Sequence, residues 1–237
     1  MSADILIELE DDFREKLLDT LSSKEIVEEV IENLDSDDAA DVIQELSHEK
    51  QKEVLLNIVN PQQASDLADL LSYDENSAGA LMAKELIQVR EKWSILRCVS
   101  EMREQAQNVN KVYTIYVINK QNQLLGTVSL KQLLLTPEKT FIGEIFNTNI
   151  ISVTTNTSGE DVARIMNKYD LVVLPVVNKN NQLVGRITID DVVDYIKEEA
   201  EKDYQMASGI SENIEPLDNI FTLTKARIPW LIIGLIG

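Results

Sequence analysis

The chain has 237 residues, 44% of them hydrophobic and 27% charged, with a formal net charge of −19. That mixture supports more than one globular core, and the acidity argues against nucleic acid and anionic membrane surfaces and in favour of cations or basic partners. Cys98 is the only cysteine and His48 the only histidine, which leaves no basis for a disulfide framework, a Cys/His zinc site or a Cys/His or Ser/His catalytic pair. A reducing, cytosolic setting fits, and Met1 to Glu10 has neither the basic nor the apolar region of a signal peptide.

The acidity is concentrated at the N-terminus, where residues 1–72 hold 20 Asp and Glu against 5 Lys and Arg, a net of −15. The same segment carries a short repeat. EVIENLD (Glu29 to Asp35), DVIQELS (Asp41 to Ser47) and EVLLNIV (Glu53 to Val59) recur every 12 residues, DLADLLS (Asp66 to Ser72) follows after 13, and KLLDTLS (Lys16 to Ser22) precedes them. Each copy sets apolar residues on one face of a short helix, which predicts a small superhelical stack. Ser36 is expected to cap the helix that follows Asp35, with Asp37 and Asp41 one turn apart on one face. Such carboxylates either complement the helix dipole or serve as ligands for a hard divalent cation, and the second reading requires further carboxylates from elsewhere.

Tyr73 to Ala83 (YDENSAGALMA) reads as a boundary, marked by Gly79 and a polar cluster. Beyond it, Trp93 to Gln105 has the spacing of an amphipathic helix with Ile95, Leu96, Val99 and Met102 on its apolar side. Cys98 lies beside them as core filler, and His48 belongs to an exposed turn.

Ile115 to Leu134 (IYVINKQNQLLGTVSLKQLL) matches Leu174 to Val193 (LPVVNKNNQLVGRITIDDVV) at a constant offset of 59 residues, setting Asn119 on Asn178, Gly126 on Gly185 and Ser129 on Thr188. Each copy predicts a hairpin followed by a helix, with glycine allowing close backbone approach and a hydroxyl starting the helix. This pair resembles tandem CBS domains over Leu81 to Ala200, and the resemblance implies packing about a pseudo-twofold axis with ligand clefts between the copies. CBS domains that bind adenosine nucleotides place an Asp after the Ser/Thr to hold the ribose. Gln132 stands there in the first copy, whereas Thr188 and Asp191 keep the second open to ATP or another adenosine nucleotide.

From Asp190 the pattern stays helical through Asp203, and after Gly209 a polar link leads to Arg227, Trp230 and an apolar run from Ile228 to Gly237. This end reads as the entrance to a transmembrane helix, cut short because a span needs about 20 residues.

Acidic helices with S-x-D-D-A-A-D (Ser36 to Asp41), the junction Y-D-E-x-x-A-G-x-L-M (Tyr73 to Met82) and two CBS copies together resemble the cytosolic region of MgtE-type magnesium transporters. The resemblance implies an α+β chain: an acidic helical N domain (1–76), a first CBS domain (77–140), a second (141–200), and a connecting helix with the start of a truncated membrane helix (201–237). It further implies magnesium ligands at Asp37, Asp41, Glu160, Asp170, Asp191 and Asp194. Taken singly, the acids of the second copy are solvated or capping groups. Ser158 and Lys202 stand where the family has acids, and the helical domain is shorter than the family's. The function expected is non-enzymatic: magnesium sensing at the cytoplasmic face of the cell membrane, gating ion flow by closure of the helical domain onto the CBS pair. The expected partners are divalent cations, a transmembrane domain of the same protein and a second copy docked through the CBS domains, with no nucleic acid. The alternative is a soluble nucleotide-sensing CBS module that regulates a partner enzyme.

Overall fold

The computed structural model describes residues 3–7, 9, 11–109 and 111–207, so the apolar end at 226–237 lies outside the described residues. Its N-terminal part is helical: α1 (Ala3–Ile7), α2 (Asp11–Thr20), α3 (Ser23–Glu29), a short 3-10 turn (Ile31–Asn33), α4 (Ser36–Glu45), α5 (His48–Asn57) and α6 (Pro61–Leu70). The 12-residue repeat marks the last turns and exits of these helices, not their middles. Val30, Val42, Val54 and Leu67 occupy equivalent positions in it, and all four are buried. With α3 packed on α5 and α4 on α6, these residues form one continuous apolar seam. Helix starts follow local chemistry: Ser22 makes a capping box with Glu25, Ser47 caps α5, and Asn60 caps α6 ahead of Pro61. Arg14 ties α2 to the end of α4, its Nε donating to both carboxylate oxygens of Glu45 at 2.9 and 2.8 Å.

Two three-stranded sheets follow. In the first, β1 (Ile87–Arg90) runs parallel to β2 (Ile115–Ile118), which is antiparallel to β3 (Leu124–Val128); β4 (Val153–Thr154), β5 (Val173–Val177) and β6 (Leu183–Thr188) repeat that order. Helix α7 (Ile95–Gln105) covers the first sheet and α9 (Gly159–Tyr169) is its counterpart in the second, while α8 (Leu130–Leu135) and α10 (Ile189–Ala207) follow the hairpins. Even the irregularities repeat: a register shift falls between Val117 and Ile118 in one copy and between Val176 and Val177 in the other, 59 residues on. Ile87, Val89, Ile95, Cys98, Val117 and Val128 anchor the first core. Leu96 is 61% exposed, so the apolar side of α7 is narrower than its sequence suggests. His48 is exposed at the first turn of α5, and burial pushes the Cys98 thiol up to about 11.

The copies meet through their turns in reciprocal contacts. Leu124 N donates to Asn181 O (2.9 Å) and Leu183 N to Asn122 O (3.1 Å); Gln123 Nε2 donates to Asn180 O (3.0 Å) and Gln182 Nε2 to Gln121 O (2.9 Å). Contacts that exchange under the 59-residue offset are what a local twofold produces. Asn122 and Asn181 both take the left-handed conformation, with φ of 61° and 60°, which asparagine tolerates.

Gly126 and Gly185 are required by close approach. A Cβ on Gly126 would lie 2.0 Å from Asn147 O, and one on Gly185 would lie 2.8 Å from Ala83 O. The segments that press on them, at Asn147 and Ala83, add a backbone bridge to β3 and β6 respectively.

The junction expected to be a boundary is a packed strap. Ala78, Met82 and Ala83 are buried, and the Tyr73 ring rests where a Cβ on Gly79 would go. Ala78 N donates to Thr157 O (2.7 Å) and Gly79 N to Thr155 O (2.9 Å), binding the strap to the second repeat.

From Asp190 onward the chain forms a second compact unit, within which α10 continues to Ala207. Among the described residues no helix is long and apolar enough to cross a membrane.

Candidate functional site

Helix α4 begins one residue earlier than its sequence indicates. Asp35 holds the N-cap position without a side-chain capping bond, and Ser36, expected as the cap, is the first helical residue and buried. Its hydroxyl is drawn away from the helix: Ser36 N and Oγ donate to Glu85 Oε2 at 3.1 and 2.8 Å, while Lys84 N donates to Ser36 Oγ at 2.7 Å. Asp37 is half-buried and accepts from Asp38 N through Oδ1, and Asp41 is exposed one turn on. The pair therefore lies on one face of a helix whose start is fixed against the strap.

Glu160 is exposed in the first turn of α9, which Ser158 caps by accepting from Asp161 N at 3.2 Å. Asp170 is exposed at the other end of that helix as its left-handed C-cap, with φ 53°. Glu160 and Asp170 are thus separated by the length of α9. In the second unit, Asp191 is half-buried in the first turn of α10, and Asp194 is exposed and accepts from Lys197 Nζ at 2.7 Å. That pairing is local and solvated, so it holds Asp194 weakly. Lys202 donates to Glu199 at 2.9 Å, a bond that raises its pKa. Among the described residues no three His, Cys, Asp or Glu side chains gather into a metal-holding group. The donor chemistry nevertheless fits a hard divalent cation, since all six are carboxylates and such an ion binds through oxygen and retains water.

In the first copy Ser129 caps α8 in a box with Gln132. Gln132 Oε1 accepts from Ser129 N (3.1 Å) and Ser129 Oγ (3.0 Å), and its Nε2 donates to Ile145 O (3.1 Å). The side chain at the ribose-binding position is thus a neutral amide already committed to structure. Thr188, at the matching position of the second copy, is the buried last residue of β6.

One cleft, of about 190 Å³, is lined by Glu85, Lys111, Tyr113, Thr114, Tyr116 and Arg186, among others. Tyr116 is buried, its hydroxyl has no hydrogen-bond partner among the described residues, and burial raises its pKa against the opposing pull of Arg186. Arg186 is 4% exposed; its Nε donates to Glu85 O (2.6 Å), its Nη2 to Asp35 Oδ2 (3.0 Å), and its guanidinium lies 5.1 Å from the Tyr113 ring centre. Neither Arg186 nor Glu85 stands out from the sequence pattern alone. The available signal was the repeat itself, which sets Arg186 against Thr127.

The family model for the MgtE intracellular N domain matches residues 1–76, and that for the CBS domain matches residues 78–137 and 142–198. Magnesium transporter MgtE of Thermus thermophilus is 33% identical over 201 residues, covering 83% of this chain and 45% of its own length. The Bacillus subtilis protein of that name is 30% identical over 238 residues, covering 99% and 52%. The chain thus spans about half the length of these curated relatives. Among solved structures, the cytosolic domain of the Mg2+ channel MgtE in complex with ATP superposes with a TM-score of 0.73 at 33% identity, over 81% of this chain and 78% of that one. The soluble part of a magnesium transporter gives 0.68 at 25% identity, over 84% and 87%. A helical N domain, the strap and two CBS repeats in this order, matched in sequence and in fold, show that the chain belongs to the MgtE family and corresponds to its cytosolic region.

Proposed function

We propose that this chain is the magnesium-sensing regulatory region of a magnesium transporter or channel, in which the helical N domain closes on the CBS pair when the cation is present. The observation that carries the reading is the set of carboxylates on separate elements, Asp37 and Asp41 on α4, Glu160 and Asp170 at the ends of α9, and Asp191 and Asp194 on α10, in a chain of this family. Magnesium would supply two positive charges and a demand for oxygen ligands that leaves it part of its water shell. Without it, facing carboxylates repel: two charges about 4 Å apart interact by roughly 4 kcal/mol at an effective dielectric near 20, so a few pairs suffice to open an interface. Asp37 and Asp41 would hold the helical side, and Glu160, Asp170, Asp191 and Asp194 the CBS side. The closed form would keep a pore shut at high magnesium, with α10 carrying the change toward a membrane domain outside this chain. The role is regulatory, at the cytoplasmic face of the membrane, and involves no catalysis. The domain limits that go with it are 1–76, 77–140, 141–200 and a connecting segment from 201.

An adenosine nucleotide is a second ligand on this reading, favoured by the ATP complex of the related cytosolic domain. Because Gln132 offers no carboxylate, binding should be weak and confined to at most one site per chain, with Thr188 and Asp191 as the residues available in the second copy.

Calorimetric titration tests the magnesium assignment. The wild-type chain should bind magnesium, and Asp37→Asn with Asp41→Asn should lose most of that heat while remaining folded. Equal heats for the two proteins would remove α4 from the site.

A further inference from the structure

We propose that Arg186 and Glu85 form a metal-independent clamp that holds the start of α4, and with it the helical domain, on the CBS pair. The two repeats themselves indicate that the clamp was added to a symmetric frame. At the offset of 59, Arg186 corresponds to Thr127. Thr127 exchanges backbone hydrogen bonds with Asn147, and Arg186 does the same with Ala83, at 2.8 to 3.0 Å in each case. The backbone frame is therefore the same in both copies, whereas the side chain is a short hydroxyl in one and a long guanidinium in the other.

That guanidinium has no local use. It passes beneath the strap to meet Glu85 O at 2.6 Å, then reaches Asp35 Oδ2 at 3.0 Å, joining residues 151 positions apart. Its side chain is 5% exposed, and that of Asp35 is 23% exposed. A guanidinium so far from water persists only with charged and hydrogen-bonding partners, and its planar fork suits the two acceptors present. The next residue on each side completes the contact: Ser36 donates twice to Glu85, and Lys84 N donates to Ser36. Further along, Lys84 Nζ donates to Asp69 Oδ2 at 2.5 Å near the end of α6, so the helical domain is held at two points.

None of these contacts uses Asp37, Asp41 or any other proposed cation ligand. In its consequence for those ligands the inference rests on the sensing reading: cation release would then turn the helical domain about Asp35 and Ser36 and would not free it. The existence of the clamp does not depend on that reading.

Hydrogen exchange on the full 237-residue chain in EDTA tests it. The Ser36 and Lys84 amides should exchange at least about tenfold more slowly than amides in exposed turns. Asp35→Asn should abolish that protection while the strand amides of both sheets keep theirs, and Arg186→Lys, which retains charge but not the fork, should give an intermediate rate. Fast exchange of Ser36 and Lys84 in wild-type protein without metal would overturn the clamp even if the variants failed to fold. Slow exchange in EDTA together with no magnesium binding would support the clamp and sink the sensing reading instead.

Discussion

At the residue scale, the contacts that define the site are short and leave no slack. Gly126→Ala drives a methyl group into Asn147 O, a backbone atom 2.0 Å from where the Cβ must go. The expected cost is about 1–3 kcal/mol, read as a fall of roughly 2–4 °C in melting temperature per kcal/mol; an unchanged melting temperature would contradict the packing at that position. Cys98 makes a prediction about pH. Burial raises its folded pKa to about 11, whereas an unfolded thiol ionises near about 8.5. The unfolded state therefore loses its proton first, and stability falls as pH rises through that window. Urea unfolding should show the wild type losing stability relative to Cys98→Ala between these pH values. A constant difference would mean that the thiol is not shielded.

At the scale of elements, helix α8 ends the first repeat with Leu134 and Leu135 at 73% and 74% exposure, while Leu133 is buried. On α10, Val193 and Ile196 are exposed as well. We propose that a second copy covers these residues and makes the dimer expected of this family. Leu134→Asp with Leu135→Asp should then sediment as a monomer where the wild type is a dimer, with or without magnesium, because an apolar contact is insensitive to ionic conditions. Wild-type monomer at micromolar concentration would dispose of the interface. These elements differ in how far the sequence disclosed them. The hairpins were legible because Asn119, Gly126 and Ser129 recur as Asn178, Gly185 and Thr188, and turn chemistry acts locally. The α4 start was misplaced by one residue because Ser36 looks like a cap, and only its distant partners Glu85 and Lys84 divert it. The strap at 73–83 has the polar composition of a linker, yet its backbone bonds go to Thr155 and Thr157, which no local pattern reveals. Of the candidate site, the carboxylates were visible through family resemblance, while Arg186 was hidden inside a matching repeat as one substitution.

At the scale of the whole molecule, two kinds of attachment are combined. The Arg186 clamp and the strap fix one edge of the helical domain, and the proposed cation ligands govern how far the remainder closes. With −15 of the −19 net charge in residues 1–72, the open form is favoured whenever counter-charge is withdrawn. Replacing Asp37 and Asp41 by Asn should yield a particle that answers less to magnesium, as judged by its radius across a titration. Small-angle scattering of the wild-type chain in EDTA and in millimolar magnesium tests the central claim most directly: the account predicts a larger radius of gyration in EDTA that contracts on adding magnesium, and superimposable profiles in the two conditions would contradict it.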